Sequence, residues 1–240
     1  KSMWQSYTTN NQNGTIYLEK NYLKLPKQKE RIKVNLHRPV EGVIRSATIS
    51  ARYNEVFYVS LLCEVSAQNL EGSNRWIGVA YDPQKLIETS SPLNVQLPLL
   101  KQTQDSIKIA QRKLWIKSKA AQKRKVRLEK AKNYQKQKRK VMDLYLKQKY
   151  QKEDYLEQLS GKLIRHYDYL FIEAVPNDCL STKFSLQDWY KFIHKLRYKA
   201  HWYNKSLLLI NVNEQSHLSC NQKSVTLENI GKQMMFDEMN

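Results

Sequence analysis

The stretch RWIGVAYDPQ, residues 75–84, decides the fold expected for the larger part of this chain. It contains a short run of strand-forming side chains, Trp76, Ile77, Val79 and Tyr81. Pro83 ends the run because proline cannot donate to a strand ladder, and Asp82 leaves a single carboxylate at the end of the strand. The stretch therefore predicts a strand whose end is a candidate acid-dependent active site.

Strands and helices alternate beyond this stretch. LIETS (86–90) predicts a strand paired with it, and amphipathic helices precede two further strands, predicted at Tyr169–Val175 and at 206–213. This alternation predicts an α/β layer architecture. Since Asp82 and Glu173 both end strands, we expect two acids at the end of one sheet. Such carboxylates either hold divalent metal ions or are simply hydrated.

Residues 1–70 predict an all-β domain. Alternating apolar residues indicate short strands within 15–25, 31–40, 43–51 and 54–65, and turn-like segments separate them. The segment NLEGSN (69–74) is typical of a linker or turn, so we expect the second domain to begin near residue 71.

Positive charge is concentrated in one segment of the chain. The sequence has 41 Lys and Arg against 22 Asp and Glu, and the segment from Lys101 to Lys152 holds 19 of the bases and three of the acids, a net +16 of the total +19. This segment lacks Gly and Pro and is rich in helix-forming residues, so it predicts one long helix or a helical hairpin. Like charges on a helix repel, so we expect a polyanionic partner. Nucleic acid is favoured over an anionic membrane because the segment has no wide apolar face.

Cysteine spacing and hydropathy argue against several classes of protein. Cys63, Cys179 and Cys220 are widely spaced and form no C-x-x-C pair, which argues against a disulfide framework and a closed zinc site. The sequence has no run of 18 apolar residues and no secretory leader, so we expect no membrane partner and a cytoplasmic location. It starts with Lys1 rather than Met, from which we expect a preceding amino-terminal part.

Three parts of the sequence together resemble one protein family. LKLPKQKERIKVNLHRPVEGVIRSATIS (23–50) and FYVSLLCE (57–64) are similar to the wedge β-barrel of TnpB, the transposon-encoded RNA-guided endonuclease related to the single-effector type V CRISPR nucleases. QKEDYLEQLSGKLIRHYDYLFIEAV (151–175) resembles the helix and second catalytic strand of its RuvC domain. WYKFIHKLRYKAHWY (189–203) resembles the helix that follows.

This resemblance implies an α+β multidomain chain. Residues 1–70 would form part of a wedge-like β-barrel, and residues 71–240 a RuvC (RNase H-like) α/β domain. Within that domain, 101–160 would be a basic helical insertion and 211–240 a degenerate zinc ribbon or tail. The family's amino-terminal recognition lobe is not in this sequence. The resemblance also implies that barrel and helices bind a guide RNA.

The first catalytic strand departs from the family. Its pattern G-I-D-L-G falls on residues 78–82, so Ala80 replaces the first metal-binding Asp, whereas Glu173 matches the second acid. Asp82 is two residues farther along, about 6.6 Å in a strand. Paired catalytic metals lie only about 3.5 to 4 Å apart. An Asp side chain is too short to make up that offset, so we do not expect Asp82 to substitute.

The family's third acid comes from an Asp-Arg-Asp type motif that follows two C-x-x-C pairs. Here Cys220 is alone, Lys223 stands where its partner would be, and His217 gives at most half a metal site. Asp237 and Glu238 are acids of the tail, but nothing in the sequence places them at the site. We therefore expect neither catalytic Mg²⁺ nor structural Zn²⁺.

These departures favour a nuclease-inactivated, RNA-guided DNA-binding protein that represses transcription by occupancy. Its expected partners are a guide RNA and a double-stranded DNA target with a short adjacent motif, in a bacterial cytoplasm. Two alternatives remain open. One is an active TnpB-type endonuclease that uses Asp82 and a tail acid. The other is a decayed transposon protein or a general basic RNA-binding module.

Basic residues of the predicted barrel and helices are the candidate RNA and DNA contacts. They are Lys33, Arg38, Arg45, Lys108, Arg112, Lys113, Lys117, Lys119, Lys123, Arg124, Lys125 and Arg127. Trp115 and Tyr134 lie among these charges, where they would either stack on bases or pack against the barrel.

Overall fold

The computed structural model describes residues 4–37, 39–52, 56–66, 70–94, 96, 98, 100–174, 183–211 and 219–239. The chain separates into two compact units, Lys1–Gln68 and Asn69–Asn240. Among the described residues, the first unit contains strands alone, whereas the second contains both helices and strands. The chain therefore belongs to the mixed α and β class, as predicted.

The first unit contains two small antiparallel sheets. Its strands are β1 (Trp4–Asn10), β2 (Tyr17–Glu19), β3 (Tyr22–Lys24), β4 (Ile32–Lys33), β5 (Val43–Arg52) and β6 (Val56–Glu64). They pair in the orders β1-β5-β6 and β2-β3-β4. Both sheets contribute to one small core, in which Leu23 of β3 and Ala47 of β5 are buried.

The described strands of this unit do not close into a barrel, although the family resemblance implied that residues 1–70 form part of a wedge-like β-barrel. Barrel closure requires hydrogen bonding around a continuous ring of strands. β2, β3 and β4 have only two or three residues each, and no ladder joins them to the β1-β5-β6 sheet among the described residues. β1 was not predicted at all, because WQSYTTN is mostly polar.

A four-stranded sheet lies at the centre of the second unit. Its strands are β7 (Trp76–Asp82), β8 (Leu86–Thr89), β9 (Tyr169–Glu173) and β10 (Ser206–Ile210), in the order β10-β9-β7-β8. β10, β9 and β7 are mutually parallel, whereas β8 is antiparallel to β7. The carboxyl ends of the three parallel strands therefore meet at one edge of the sheet.

Helices cover both faces of this sheet. They are α2 (Lys132–His166) and α3 (Leu186–Trp202) on one face and α4 (Cys220–Met239) on the other, with α1 (Leu100–Lys123) preceding them in the chain. Leu163 of α2 and Trp189 of α3 are fully buried in a core with Ile77 and Ile172 of the sheet. α3 begins at a capping box formed by Ser185 and Asp188.

α4 lies in the segment 211–240, for which the family resemblance implied a degenerate zinc ribbon or tail. From Cys220 to Met239 this segment is a helix and not a ribbon, and Leu227 is buried against Phe171 and other residues of the sheet. Two glycines permit the close approach. A Cβ at Gly78 would lie 1.9 Å from the Ser224 carbonyl oxygen, and one at Gly231 would lie 2.0 Å from the Phe171 ring.

α1 and α2 form an antiparallel hairpin whose turn occupies residues 124–131. Ile107 and Ala121 of α1 are buried at the contact, but polar groups also meet there. Gln137 Nε2 donates to the Ala110 carbonyl oxygen at 3.0 Å, and Thr103 Oγ1 donates to Gln151 Oε1 at 2.8 Å. Among the described helices, this long pair included, none is apolar enough over a sufficient length to cross a membrane.

Candidate functional site

Ala80 and Glu173 lie next to each other at the carboxyl ends of β7 and β9. The parallel ladder pairs Val79 with Ile172, so Ala80 and Glu173 are the next residues along the two strands. Neighbouring strands are about 4.8 Å apart. Ala80 has no exposed surface and packs with Phe171 and Leu227, on the face that α4 covers. The two positions that the family resemblance assigns to metal-binding acids are therefore adjacent, and one of them holds a methyl group.

The Glu173 carboxylate is buried, with only 3% of the residue exposed. Its Oε2 accepts a hydrogen bond from the Tyr81 backbone N–H at 2.8 Å. Its Oε1 accepts from Lys223 Nζ at 3.2 Å, and the Lys223 side chain is itself 12% exposed. A buried charge is tolerated when it is both paired and hydrogen-bonded. The protein thus supplies its own cation to Glu173, the acid that the resemblance aligns with the family's second metal ligand.

Asp82 organises the turn between β7 and β8. Its Oδ1 accepts from the backbone N–H groups of Gln84 at 2.6 Å and Lys85 at 2.9 Å. The Tyr155 hydroxyl donates to the Lys85 carbonyl oxygen at 2.8 Å, and burial together with the Asp82 charge raises the pKa of Tyr155 to about 12. Asp82 therefore has a local structural role, which explains its presence without a metal.

Cys220 is the first residue of α4 and lies near the charges of Asp82, Glu173 and Lys223. Burial raises the pKa of its thiol, and the negative charges of Asp82 and Glu173 raise it further, while Lys223 partly opposes them. Metals bind the thiolate rather than the thiol. The raised pKa therefore disfavours the thiolate form of Cys220, which is the form that would bind a metal. Cys179 and His217 lie outside the described residues.

The acids of the tail are far from Glu173 along α4. Asp237 comes 14 residues after Lys223 in the same helix, a distance of about 21 Å at the usual helical rise. Asp237 is exposed, and Glu238 follows it at the end of the helix. The helix that brings Lys223 to Glu173 thus carries these acids away from it.

The described donors at this edge do not fit a pair of Mg²⁺ ions. Both carboxylate oxygens of Glu173 accept hydrogen bonds, the Ala80 side chain has no atom that could bind a metal, and the Lys223 ammonium would repel a divalent cation. Two-metal sites need several oxygen ligands that bridge and flank the ions. Within the part of the chain that the structure describes, no group of three or more His, Cys, Asp or Glu side chains could hold a metal ion.

The basic candidates of the hairpin do not all point the same way. Lys108, Arg112, Lys119 and Lys123 are spaced four or seven residues apart along α1 and are exposed, on the side opposite the contact with α2. Arg124, Lys125 and Arg127 are exposed in the hairpin turn, and Lys113 is exposed on α1. Lys117 is half-buried instead, with its Nζ 3.4 Å from Gln137 Oε1 on α2.

The candidates of the first unit lie on different sheets. Lys33 is exposed on β4, whereas Arg45 is exposed on β5 at an irregularity in its ladder with β6. The Arg45 guanidinium forms an ion pair with Glu64, so an RNA phosphate would have to compete with that carboxylate. Arg38 lies outside the described residues.

Lys223 is the residue of this candidate site that sequence reasoning missed. It was considered only as the residue that replaces a cysteine, and not as a partner of Glu173. A local signal for its helix was present, because Ser219 and Gln222 have the spacing of a capping box. Gln222 Oε1 accepts from the Ser219 backbone N–H at 2.9 Å, and Ser219 Oγ accepts from the Gln222 N–H at 3.4 Å.

Comparison with known proteins adds no assignment to this geometry. No model of a protein family matches the chain. No curated protein matches it either.

Proposed function

We propose that this chain is an RNA-guided DNA-binding protein that does not cut its target and that represses transcription by occupying it. A guide RNA would read the DNA by base pairing, and the protein would hold the heteroduplex and a short adjacent duplex motif. The proposal starts from the resemblance of residues 23–50, 57–64, 151–175 and 189–203 to TnpB. It places the protein in a bacterial cytoplasm, with no membrane partner.

The observation that carries the proposal is the arrangement of Ala80, Glu173 and Lys223. In the family, acids at the ends of two neighbouring strands would hold the metal ions. Here β7 and β9 are such neighbours, but one position is a buried methyl group and the other is a carboxylate bound by a lysine. Without metal ions, neither the attacking water nor the leaving oxygen of a phosphodiester would be stabilised.

Retained binding surfaces favour repression over simple decay of a nuclease. The α1–α2 hairpin keeps a strong excess of positive charge, and most of its candidate cations are exposed. A chain that had lost its function would have no reason to hold so many like charges on one pair of helices, because they repel one another. Binding to RNA neutralises them.

The decisive experiment is to sequence the RNA that co-purifies with the protein. The proposal expects one dominant RNA with a constant scaffold and a short variable end. A duplex that matches the variable end should then be bound, and a duplex with a scrambled match should not. Heterogeneous RNA together with guide-independent binding would overturn the proposal in favour of a general basic RNA-binding module.

A cleavage assay on the same complex separates the proposal from the active-endonuclease alternative. With Mg²⁺ and matched DNA, we expect binding without strand breaks, both for the native chain and for Ala80→Asp, since Lys223 and the missing third acid remain. Guide-dependent cutting by the native chain that is abolished in Glu173→Gln would overturn the proposal.

A further inference from the structure

The outward face of α1 carries an aromatic side chain within its row of cations. Trp115 lies between Arg112 and Lys119 on the side of the helix opposite Ala110 and Ala121, which face α2. The Trp115 residue is 62% exposed, far more than is usual for so large a side chain. From Lys108 to Lys123 the row runs about 22 Å along the helix.

The surroundings of Trp115 distinguish it from an isolated exposed hydrophobic residue. Lys119 Nζ lies 5.9 Å from the centre of its ring, and Arg112 is exposed one turn before it on the same side of the helix. The one acid on this side of α1, Asp105, lies at the beginning of the helix, with its Oδ1 3.8 Å from Lys108 Nζ. A flat apolar surface is therefore flanked by cations on both sides.

Tyr134, the other aromatic residue among these charges, is placed differently. It lies in the first turn of α2 and is half-buried. From the sequence, Trp115 and Tyr134 were equal candidates for stacking on a base. In the structure, Trp115 is widely exposed and Tyr134 is not.

We propose that this face of α1 binds single-stranded RNA, with Trp115 stacking on an unpaired base while Arg112, Lys119 and their neighbours contact the phosphates on either side. The inference rests on the proposed function, because it takes an unpaired part of the guide RNA as the occupant. Charge complementarity favours a nucleic acid, since a row of cations needs a polyanion along its whole length. Stacking favours a single strand, because the bases of a duplex already stack on one another and hide their faces.

The test compares two ribo-oligomers of equal length, an oligoadenylate and an oligomer of abasic nucleotides, which has the same phosphates but no bases. The native chain, freed of bound RNA by high salt, should bind the oligoadenylate more tightly. In Trp115→Leu this preference should fall by on the order of 5- to 150-fold, the range expected for one stacked base. The affinity of Trp115→Leu for the abasic oligomer should stay within about twofold of that of the native chain.

Matched variants separate stacking from charge and from folding. Trp115→Phe should retain part of the preference, because its ring is still flat and apolar. Arg112→Gln with Lys119→Gln should weaken both oligomers alike and reduce the salt dependence of binding. Trp202→Leu removes another exposed tryptophan, at the end of α3, and should change neither affinity.

The result that would overturn the inference is an unchanged preference for bases in Trp115→Leu with a native melting temperature. An equal loss on both oligomers would overturn it as well, as would tighter binding of an acidic polypeptide than of either oligomer at this face. These outcomes leave guide-dependent DNA binding intact if the proposed function is right. Conversely, the native chain could bind DNA without regard to the guide sequence while Trp115→Leu still loses the preference for bases. That result would overturn the proposed function but not this inference.

Discussion

The Lys223 side chain forms an ion pair with the buried Glu173 carboxylate, so the charge of Glu173 is balanced by the protein itself. Two hydrogen-bond donors, the Lys223 ammonium and the Tyr81 backbone N–H, replace the water that Glu173 lost on burial. Such a pair adds little net stability over an apolar pair of similar size, but breaking it leaves an uncompensated buried charge. The acid at this position is thus retained in a form that the fold depends on.

Removing the lysine alone should therefore destabilise the protein more than removing both charges. We expect Lys223→Met to lower the free energy of unfolding by about 3 to 5 kcal/mol, the range expected when one partner of a buried ion pair is removed and the other charge stays buried. Urea denaturation at neutral pH measures this difference. The double variant Lys223→Met with Glu173→Gln should recover a large part of it, because no buried charge is left. Equal losses in the single and double variants would show that Lys223 acts through packing and not through its charge.

Some helices and strands of the second unit could be predicted from the sequence, whereas others could not. β9, predicted at Tyr169–Val175, is observed at Tyr169–Glu173, and the amphipathic helix predicted before the strand at 206–213 is observed as α3, Leu186–Trp202. β9 is a short continuous apolar run because both of its faces are buried, whereas α3 has apolar periodicity because one face buries large side chains such as Trp189. Both patterns indicate buried elements.

α4 escaped prediction because two of the three buried residues among its described side chains are small. Leu227 is buried, but Ser224 and Gly231 are buried where close approach to the sheet leaves no room for larger side chains. Such a face produces only a weak apolar stripe in the sequence. The same limit applies to the site. Ala80 and Glu173 could be predicted from their strands, whereas the contact between Glu173 and Lys223 depends on where α4 packs.

A charged cluster joins α2 to α3 and makes their contact sensitive to acid. Glu157 of α2 accepts hydrogen bonds from Lys195 and Lys199 of α3, and Lys199 Nζ also donates to Ser160 Oγ at 2.8 Å. Burial alone would raise the pKa of Glu157, but the two lysines outweigh it and lower the pKa from 4.5 to about 2. The ionised carboxylate is therefore favoured in the folded state.

Replacing Glu157 by Gln should remove this dependence on pH. Because the folded pKa is the lower one, the stabilisation is fully present above pH 4.5 and is lost as the pH falls towards about 2. We expect Glu157→Gln to be less stable than the native chain by about 1 kcal/mol at neutral pH, a modest value because the side chain is half-exposed. In urea denaturation, the difference in free energy of unfolding between the native chain and Glu157→Gln should decrease steadily below pH 4.5. If this difference stays constant across that range, ionisation of Glu157 is not its cause.

At the scale of the whole molecule, the charge is distributed very unevenly. Nearly all of the net charge of +19 resides in the segment that forms α1, the hairpin turn and the first part of α2. The rest of the chain is close to balanced. Binding of a polyanion should therefore depend on where a charge lies and not only on the total, which can be tested with variants of equal net charge.

Charge reversal at the end of α1 and in the turn should weaken RNA binding steeply. Lys123, Arg124 and Lys125 are exposed there, and each phosphate contact contributes about 0.7 to 0.9 to the slope of log affinity against log salt. Their replacement by Glu should lower that slope by about 2 to 3, measured by titration of the co-purified RNA at several salt concentrations. The control reverses Lys183, Lys191 and Arg197, which are exposed in and just before α3 and give the same net charge. Equal slopes in the two variants would mean that the RNA responds to overall charge and that the hairpin is not its binding surface.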